Sequence, residues 1–112
     1  MTLHTLSSGS QGNCLLLSDG DTHILVDAGI STRRIKASLA QLELSMDELD
    51  GILITHEHTD HISGLATLIK HHSIPLYASP GTARQLAYRL AGVEPLLRPR
   101  EPGGQFEVGQ CL

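Results

Sequence analysis

Residues 56–61 bring together side chains that could bind metal ions. The segment is written His56-Glu57-His58-Thr59-Asp60-His61, and it follows an apolar run at residues 51–55. Imidazole nitrogens and carboxylate oxygens are ligands that zinc, manganese and iron all accept. A packed core or an ordinary surface loop does not require this pattern. It therefore predicts a metal-dependent hydrolase, or part of one.

The spacing of these donors favours two ions rather than one. In extended chain, residues i and i+2 point to the same side, so His56 and His58 can reach one ion together. Asp60 and His61 come where the chain turns into the next helix. They can serve a second ion, at about 3.5–4 Å from the first as in two-metal hydrolases. The alternative is that these histidines cap a helix or bond nearby carbonyls.

Asp27 is a further candidate for the same site. It ends an apolar predicted strand and is followed by the small residues Ala28 and Gly29. A carboxylate in this place could orient a metal-binding imidazole through the other ring N–H. The alternative, which the residues alone do not exclude, is that Asp27 caps the turn that follows.

A loop of small residues, 8–13, is a candidate for substrate binding. Its sequence is Ser8-Gly9-Ser10-Gln11-Gly12-Asn13. Such residues expose backbone N–H groups that could receive a phosphate or a carboxylate, while a plain hairpin loop is the alternative. The candidate substrate residues are Ser8, Gly9, Ser10 and Asn13.

The remaining histidines and Cys14 are interpreted as structural. His4 and His23 lie in or beside predicted strands, and His71 and His72 end a helix, where a charged imidazole complements the dipole. Cys14 lies in an apolar stretch and is predicted to be a small core residue. Two distant cysteines do not form a disulfide framework, which favours a reducing, cytoplasmic location.

Composition bounds the class of protein. The chain has 112 residues, enough for one small domain, and 40% of them are hydrophobic. Its formal charge of −4 argues against a generally basic surface for nucleic acid. Positive charge gathers at residues 33–36 and at Arg98 and Arg100, either on solvated faces or as local phosphate contacts. No secretory leader and no stretch of about 18 apolar residues is evident.

The order of predicted elements places the chain in the α/β class, or α+β in some schemes. Three strands at 3–7, 14–17 and 23–26 are expected to form an antiparallel meander. Helices at 31–42, 63–72 and 79–90 then alternate with strands at 51–55 and 75–78. We predict a loop over 92–104 and a sixth strand from residue 106 to 112. The expected architecture is a mixed sheet with helices on one face.

These residues resemble a known family. The segment His56-Glu57-His58-Thr59-Asp60-His61 is similar to the His-x-His-x-Asp-His signature of the metallo-β-lactamase superfamily. Leu25-Val26-Asp27-Ala28-Gly29 resembles the strand-end aspartate motif of that superfamily. Residues 7–14 together with 54–58 resemble its bacterial YycJ-like or WalJ-like branch, which is described as exonucleases acting on DNA. The resemblance runs along essentially the whole chain.

The resemblance implies an αβ/βα sandwich with a dinuclear centre at one edge. His56 and His58 would bind the first ion, and Asp60 and His61 the second. Asp27 would support the site rather than bind metal. Water activated by two divalent ions, zinc first and manganese or iron as alternatives, would attack phosphorus or a carbonyl carbon. Asp60 would also act in catalysis by orienting that water or accepting its proton.

The resemblance also implies that residues 1–112 form one partial domain, the N-terminal half of that sandwich. The remaining metal ligands would come from the second half, so each ion would keep about two protein ligands against the usual three of a catalytic zinc site. We therefore expect the chain to be truncated near residue 112, to bind metal weakly and to catalyse poorly. Its exposed half-domain face is expected to favour a homo-oligomer.

The predicted function of the full-length protein is a phosphodiesterase, and specifically a DNA exonuclease. One alternative is the same fold acting on a thioester or a cyclic phosphodiester. Another is a non-catalytic metal-binding or dimerising half-domain. The arginines at 33 and 34 and the loop at 8–13 favour a phosphate substrate over a thioester.

Overall fold

A computed structural model of the chain describes residues 2–8, 12–55 and 62–99. Within them lies one six-stranded sheet whose strands follow chain order. The strands are β1 (Thr2–Ser7), β2 (Cys14–Asp19), β3 (Thr22–Val26), β4 (Gly51–Leu53), β5 (Leu76–Ala78) and β6 (Leu97–Pro99). The helices are α1 (Thr32–Gln41), α2 (Leu65–His71) and α3 (Pro80–Arg89), with short 3-10 helices at Met46–Glu48 and Glu94–Leu96.

The first three strands form the predicted antiparallel meander. Leu16 of β2 lies opposite His4 of β1 and opposite Leu25 of β3. The β2–β3 turn passes through Gly20, whose φ of 62° is a left-handed conformation that glycine adopts without a steric penalty. This hairpin brings the start of β2 to the same edge of the sheet as the end of β3.

The second part of the sheet is parallel, so several strands end at one edge. β3 pairs in parallel with β4, β4 with β5, and β5 with β6. The carboxyl ends of β3 and β4 are therefore neighbours, and Asp27 and residues 54–61 follow them. In parallel α/β sheets this carboxyl edge is where ligands bind.

Helix starts lie where the sequence places them. The Ser31 side chain accepts a hydrogen bond from the Arg34 N–H at 3.2 Å and caps α1. The Ser79 side chain accepts one from the Thr82 N–H at 3.3 Å, and Pro80 occupies the first position of α3. The helices at 31–42 and 79–90 are confirmed within a residue or two at each end.

The two faces of the sheet bury different side chains, because alternate residues of a strand point to opposite sides. On one face the sheet packs against the helices and forms the main core. Its fully buried large side chains are Leu16, Leu25, Ile35, Leu39, Ile52, Ile54, Leu65, Leu68, Leu76, Leu86 and Val93. On the other face Ile24 and Tyr77 form a small cluster with Leu17 and Leu53. The predicted mixed sheet with helices on one face is confirmed.

The predicted loop over residues 92–104 was wrong in part. Residues 94–96 form a 3-10 helix, and Leu97–Pro99 pair with β5 as the edge strand β6. Prolines in this stretch argued for a loop, but an edge strand tolerates proline because one side of its backbone needs no partner. The predicted strand over 106–112 lies outside the described residues.

Large hydrophobic side chains are exposed at two places in the described part of the chain. Leu3 is 59% exposed and Tyr88 is 90% exposed. Ile24 and Tyr77, on the face away from the helices, are only 8% and 9% exposed. Self-association through that face therefore stays a prediction. Across residues 2–8, 12–55 and 62–99, no helix is long and apolar enough to cross a membrane.

Substitution of a core leucine should distinguish this core from the surface. Leu68 of α2 is completely buried, so Leu68→Ala should lower the free energy of unfolding by about 2–5 kcal/mol. The matched change Leu3→Ala, at an exposed position, should alter it by no more than about 0.5 kcal/mol. Urea unfolding followed by circular dichroism measures both. Equal losses in the two variants would contradict the described packing.

Candidate functional site

The site is organised around a short strand-end segment, residues 27–30, which follows β3. All four residues are buried, and the Asp27 side chain is 5% exposed. Asp27 also has a φ of 64°, in the left-handed region that few residues other than glycine adopt. Aspartate is among the residues that tolerate it, because its short polar side chain can hydrogen-bond locally.

The Asp27 carboxylate is bound at both oxygens by a residue of the neighbouring strand end. The Thr55 N–H donates to Oδ1 at 2.8 Å, and the Thr55 hydroxyl donates to Oδ2 at 2.7 Å. The Asp27 N–H in turn donates to the Leu53 carbonyl at 2.7 Å and extends the β3–β4 ladder. These bonds make Asp27 a link between two strand ends, which goes beyond capping the turn that follows it.

A second set of bonds ties the start of the next helical region to the same segment. The Gly64 N–H donates to the Ala28 carbonyl at 2.9 Å. The Ser63 hydroxyl donates to the Gly29 carbonyl at 2.5 Å, and the Thr32 hydroxyl to the Gly64 carbonyl at 3.2 Å. Residues 63 and 64 are thus held against the strand-end segment from two sides.

The predicted metal ligands come between these two anchors in the sequence. Thr55 precedes them and Ser63–Gly64 follow them, and both anchors attach to residues 27–30. We call residues 56–61 the metal-type segment; His56, His58, Asp60 and His61 lie outside the described residues. By chemistry its imidazoles and carboxylates fit divalent ions. The anchors fix both ends of this donor set at the carboxyl edge of the sheet.

The base of the predicted substrate loop lies at the same edge. The Gly29 N–H donates to the Asn13 carbonyl at 2.9 Å, and the Ser7 hydroxyl donates to the Gly12 carbonyl at 2.9 Å. Gly12 has a φ of 120°, and a Cβ there would lie 2.2 Å from the Gly29 carbonyl oxygen. Glycine is therefore required where this loop touches the strand-end segment. Of the loop candidates, Ser8 is exposed and Asn13 is half-buried, while Gly9 and Ser10 lie outside the described residues.

The basic residues and the other histidines are placed as follows. Arg33, Arg34 and Lys36 are exposed on α1. The Arg98 guanidinium donates from Nη1 to the carbonyl oxygens of residues 95 and 97, while Arg100 lies outside the described residues. His23 shares a 2.7 Å hydrogen bond with the Ser18 hydroxyl. Among the residues that the structure describes, no group of three or more His, Cys, Asp or Glu side chains could hold a metal ion.

Cys14 is a core residue, as predicted, and not a nucleophile. Its side chain is fully buried beneath the helices. Burial, with a smaller contribution from the negative charge of Asp27, raises the pKa of its thiol from 9.0 to about 12, against a lowering by Arg34. The thiolate is the reactive form of cysteine, so this thiol is inert near neutral pH.

A mixed sheet with helices on one face, and a His/Asp donor segment directly after a parallel strand, defines a class of metal-dependent hydrolases. The family model of the metallo-beta-lactamase superfamily matches residues 8–110. The chain therefore belongs to this superfamily.

Among its relatives are two exonucleases. Exodeoxyribonuclease YycJ of Bacillus anthracis is 39% identical over 111 residues, which are 97% of this chain and 40% of that protein. Exodeoxyribonuclease WalJ of Streptococcus pneumoniae serotype 2 is 44% identical over 77 residues, covering 69% of this chain and 29% of that protein. The solved structure of the Rm3 metallo-beta-lactamase matches with a TM-score of 0.75 and 29% identity, over 96% of this chain and 45% of its own. The chain thus spans less than half of each.

Sequence reasoning missed the residues that anchor the metal-type segment. Thr55 was taken as the end of a strand, although it is the hydrogen-bonding residue directly before His56. Gly64 is a helix-breaking residue just after the segment, and that position is the one indication the sequence offers of a close contact. Neither partner, Asp27 or Ala28, can be inferred from spacing along the chain.

A methyl group at Gly64 should loosen the site. A Cβ there would lie 1.8 Å from the Ile30 carbonyl oxygen, so the backbone must move. Gly64→Ala should destabilise the protein by about 1–3 kcal/mol, as overpacking does. The control Gly81→Ala meets only the end of Arg84, at 4.0 Å, and should be neutral or stabilising by up to about 1 kcal/mol because alanine favours helix. Thermal unfolding measures both; an unchanged Gly64→Ala protein would contradict this close contact.

The Cys14 thiol should resist labelling in the folded protein. In a Cys111→Ser background, an alkylating reagent at about pH 8 should modify Cys14 slowly in buffer and rapidly in denaturant, because burial keeps the thiol protonated. Since the folded state holds this proton more tightly, the associated stability is present below pH 9.0 and is lost as pH rises toward about 12. A Cys14→Ala variant should lack that alkaline loss. Equal labelling rates in buffer and in denaturant would contradict the burial of this thiol.

Proposed function

We propose that residues 1–112 form the N-terminal half of a metal-dependent phosphodiesterase that acts as an exonuclease on DNA. One observation carries the proposal: both ends of the metal-type segment are anchored on the buried strand-end segment, through Thr55 and through Ser63–Gly64. A donor set fixed at both ends loses little freedom when it binds ions, which favours a preorganised site.

The donor set supports a pair of divalent ions. His56 and His58 would hold one ion, and Asp60 and His61 the other, with zinc as the first candidate and manganese or iron as alternatives. When bound, such ions supply Lewis acidity and lower the pKa of water. Asp60 would orient the attacking water or accept its proton. Asp27 would orient the site from behind and would not bind metal itself.

The substrate proposal comes from the relatives and from the loop at the same edge. Two of the relatives are named exodeoxyribonucleases, which supports DNA over a thioester. The loop at residues 8–13 reaches the strand-end segment through Asn13, where the backbone N–H groups of Ser8, Gly9 and Ser10 could receive a phosphate. A DNA-processing enzyme with a core thiol and no disulfide framework fits the cytoplasm.

The number of ligands supports a half-site in this chain. Two ions of a catalytic pair need about three protein ligands each, and the metal-type segment offers about two for each. The second half of the relatives, which this chain does not span, would supply the rest. The 112 residues alone should therefore bind metal weakly and cleave DNA poorly.

Loss of single ligands tests the proposal in a chain that continues these residues to the length of the relatives. His58→Ala and Asp60→Ala should each lower exonuclease activity by more than about 100-fold, because even groups that only orient ligands are worth 10–100-fold. The controls His71→Ala and Asp47→Ala remove the same groups at exposed positions and should leave activity intact. Metal content by mass spectrometry and release of nucleotides from linear DNA are the measurements.

Other outcomes would decide against parts of this proposal. A longer chain that holds two ions but hydrolyses a thioester or a cyclic phosphodiester instead of DNA would refute the substrate. A longer chain that carries no metal after purification without chelator would refute the dinuclear site. A 112-residue monomer that is fully metallated and active would refute the half-site.

A further inference from the structure

The Thr55 hydroxyl makes a contact that the fold does not require of it. The backbone of Thr55 already reaches Asp27 through its N–H at 2.8 Å, and the hydroxyl adds a second bond, to the other carboxylate oxygen, at 2.7 Å. One bond alone would leave the carboxylate able to rotate about its Cβ–Cγ axis. Two bonds from one residue, one to each oxygen, fix the plane of the carboxylate.

We propose that Thr55 is a positioning residue, whose hydroxyl orients the Asp27 carboxylate and thereby tunes the metal affinity of the segment that begins at the next residue. This inference rests on the proposed function, because it assumes that His56 to His61 bind metal. It adds a role for a side chain that binds no metal itself.

The location of the pair supports this role. Asp27 follows β3 and Thr55 follows β4, and these strands are hydrogen-bonded neighbours in parallel. The carboxylate is 5% exposed, so its hydrogen bonds are formed where water competes little. Hydrogen bonds to an ionised group are also about twice as strong as neutral ones. The short Thr55 bonds therefore hold Asp27 firmly beside the start of the metal-type segment.

The chemistry of the carboxylate explains how the effect reaches the metal. An ionised carboxylate offers about four acceptor positions, and Thr55 occupies one on each oxygen. Groups of this kind orient metal-bound imidazoles by accepting their second ring N–H, and they raise the basicity of the ligand. A carboxylate that can rotate would orient such a ring less well, so metal affinity would fall even though every ligand remains.

The test compares zinc affinity among variants of the 112-residue chain. Thr55→Val keeps the shape and the backbone N–H but removes the hydroxyl, while Thr55→Ser keeps the hydroxyl. Thr82→Val is the matched control, because Thr82 is also buried and its hydroxyl accepts a hydrogen bond from Ser79 at 3.1 Å, at the start of α3. Zinc dissociation constants are measured by competition with a chromophoric chelator near neutral pH. Urea unfolding of the metal-free proteins reports stability separately.

We expect Thr55→Val to bind zinc about tenfold more weakly, at the lower end of the range for groups that orient ligands. Thr55→Ser should bind close to the wild-type value, and Thr82→Val should lose stability without losing affinity. Thr55→Ala against Thr55→Ser isolates the same hydroxyl and serves if the valine variant does not fold.

Two results would overturn the inference while leaving the proposed function intact. One is wild-type zinc affinity in Thr55→Val; the other is an equal loss in Thr82→Val, which would show that any loss of stability weakens the site. If the wild-type chain binds no zinc at all, the metal site of the proposed function fails, and the role of Thr55 fails with it. The behaviour of the wild-type chain thus distinguishes the two failures.

Discussion

The structure depends on how a buried, negatively charged strand end is satisfied. A carboxylate moved from water into a protein interior is costly unless it is paired or hydrogen-bonded. Asp27, at 5% exposure, receives two bonds from Thr55. Its own N–H donates to Leu53, so the charged group and the backbone around it both join β3 to β4. The same contacts that make burial of this charge tolerable also hold the end of β4, from which the metal-type segment continues.

Close backbone contact makes this arrangement tight. The strand-end segment, residues 27–30, is touched on one side by Gly12 and on another by Gly64, and a Cβ at either position would lie within 2.2 Å of a carbonyl oxygen. Glycine is therefore needed in both places for a steric reason. Three pieces of chain that are distant in sequence meet there: the base of the loop at 8–13, the end of β4 and the start of the helical region after residue 61. Each brings residues that the proposed chemistry uses.

Stability and function are thus separated within one small sheet. The helical face of the sheet holds the main core, in which Cys14 is a buried thiol with a raised pKa rather than a reactive group. The carboxyl edge holds the polar contacts and the donor segment. Family membership follows from the match over residues 8–110. Because the chain spans 40% and 29% of the two exonuclease relatives, a complete catalytic centre is proposed only for a longer chain.

The sequence by itself determined the local features, because the rules behind them act over a few residues. Serine caps predicted the starts of α1 and α3, alternation predicted the meander, and the density of donors at residues 56–61 predicted the chemistry. Strand β6 was missed because prolines in residues 92–104 obscured a three-residue edge strand. Tertiary structure alone decided that Thr55 binds Asp27, 28 positions away, and that Thr32 reaches Gly64, 32 positions away. Such contacts depend on the parallel pairing of strands, which no short-range pattern specifies.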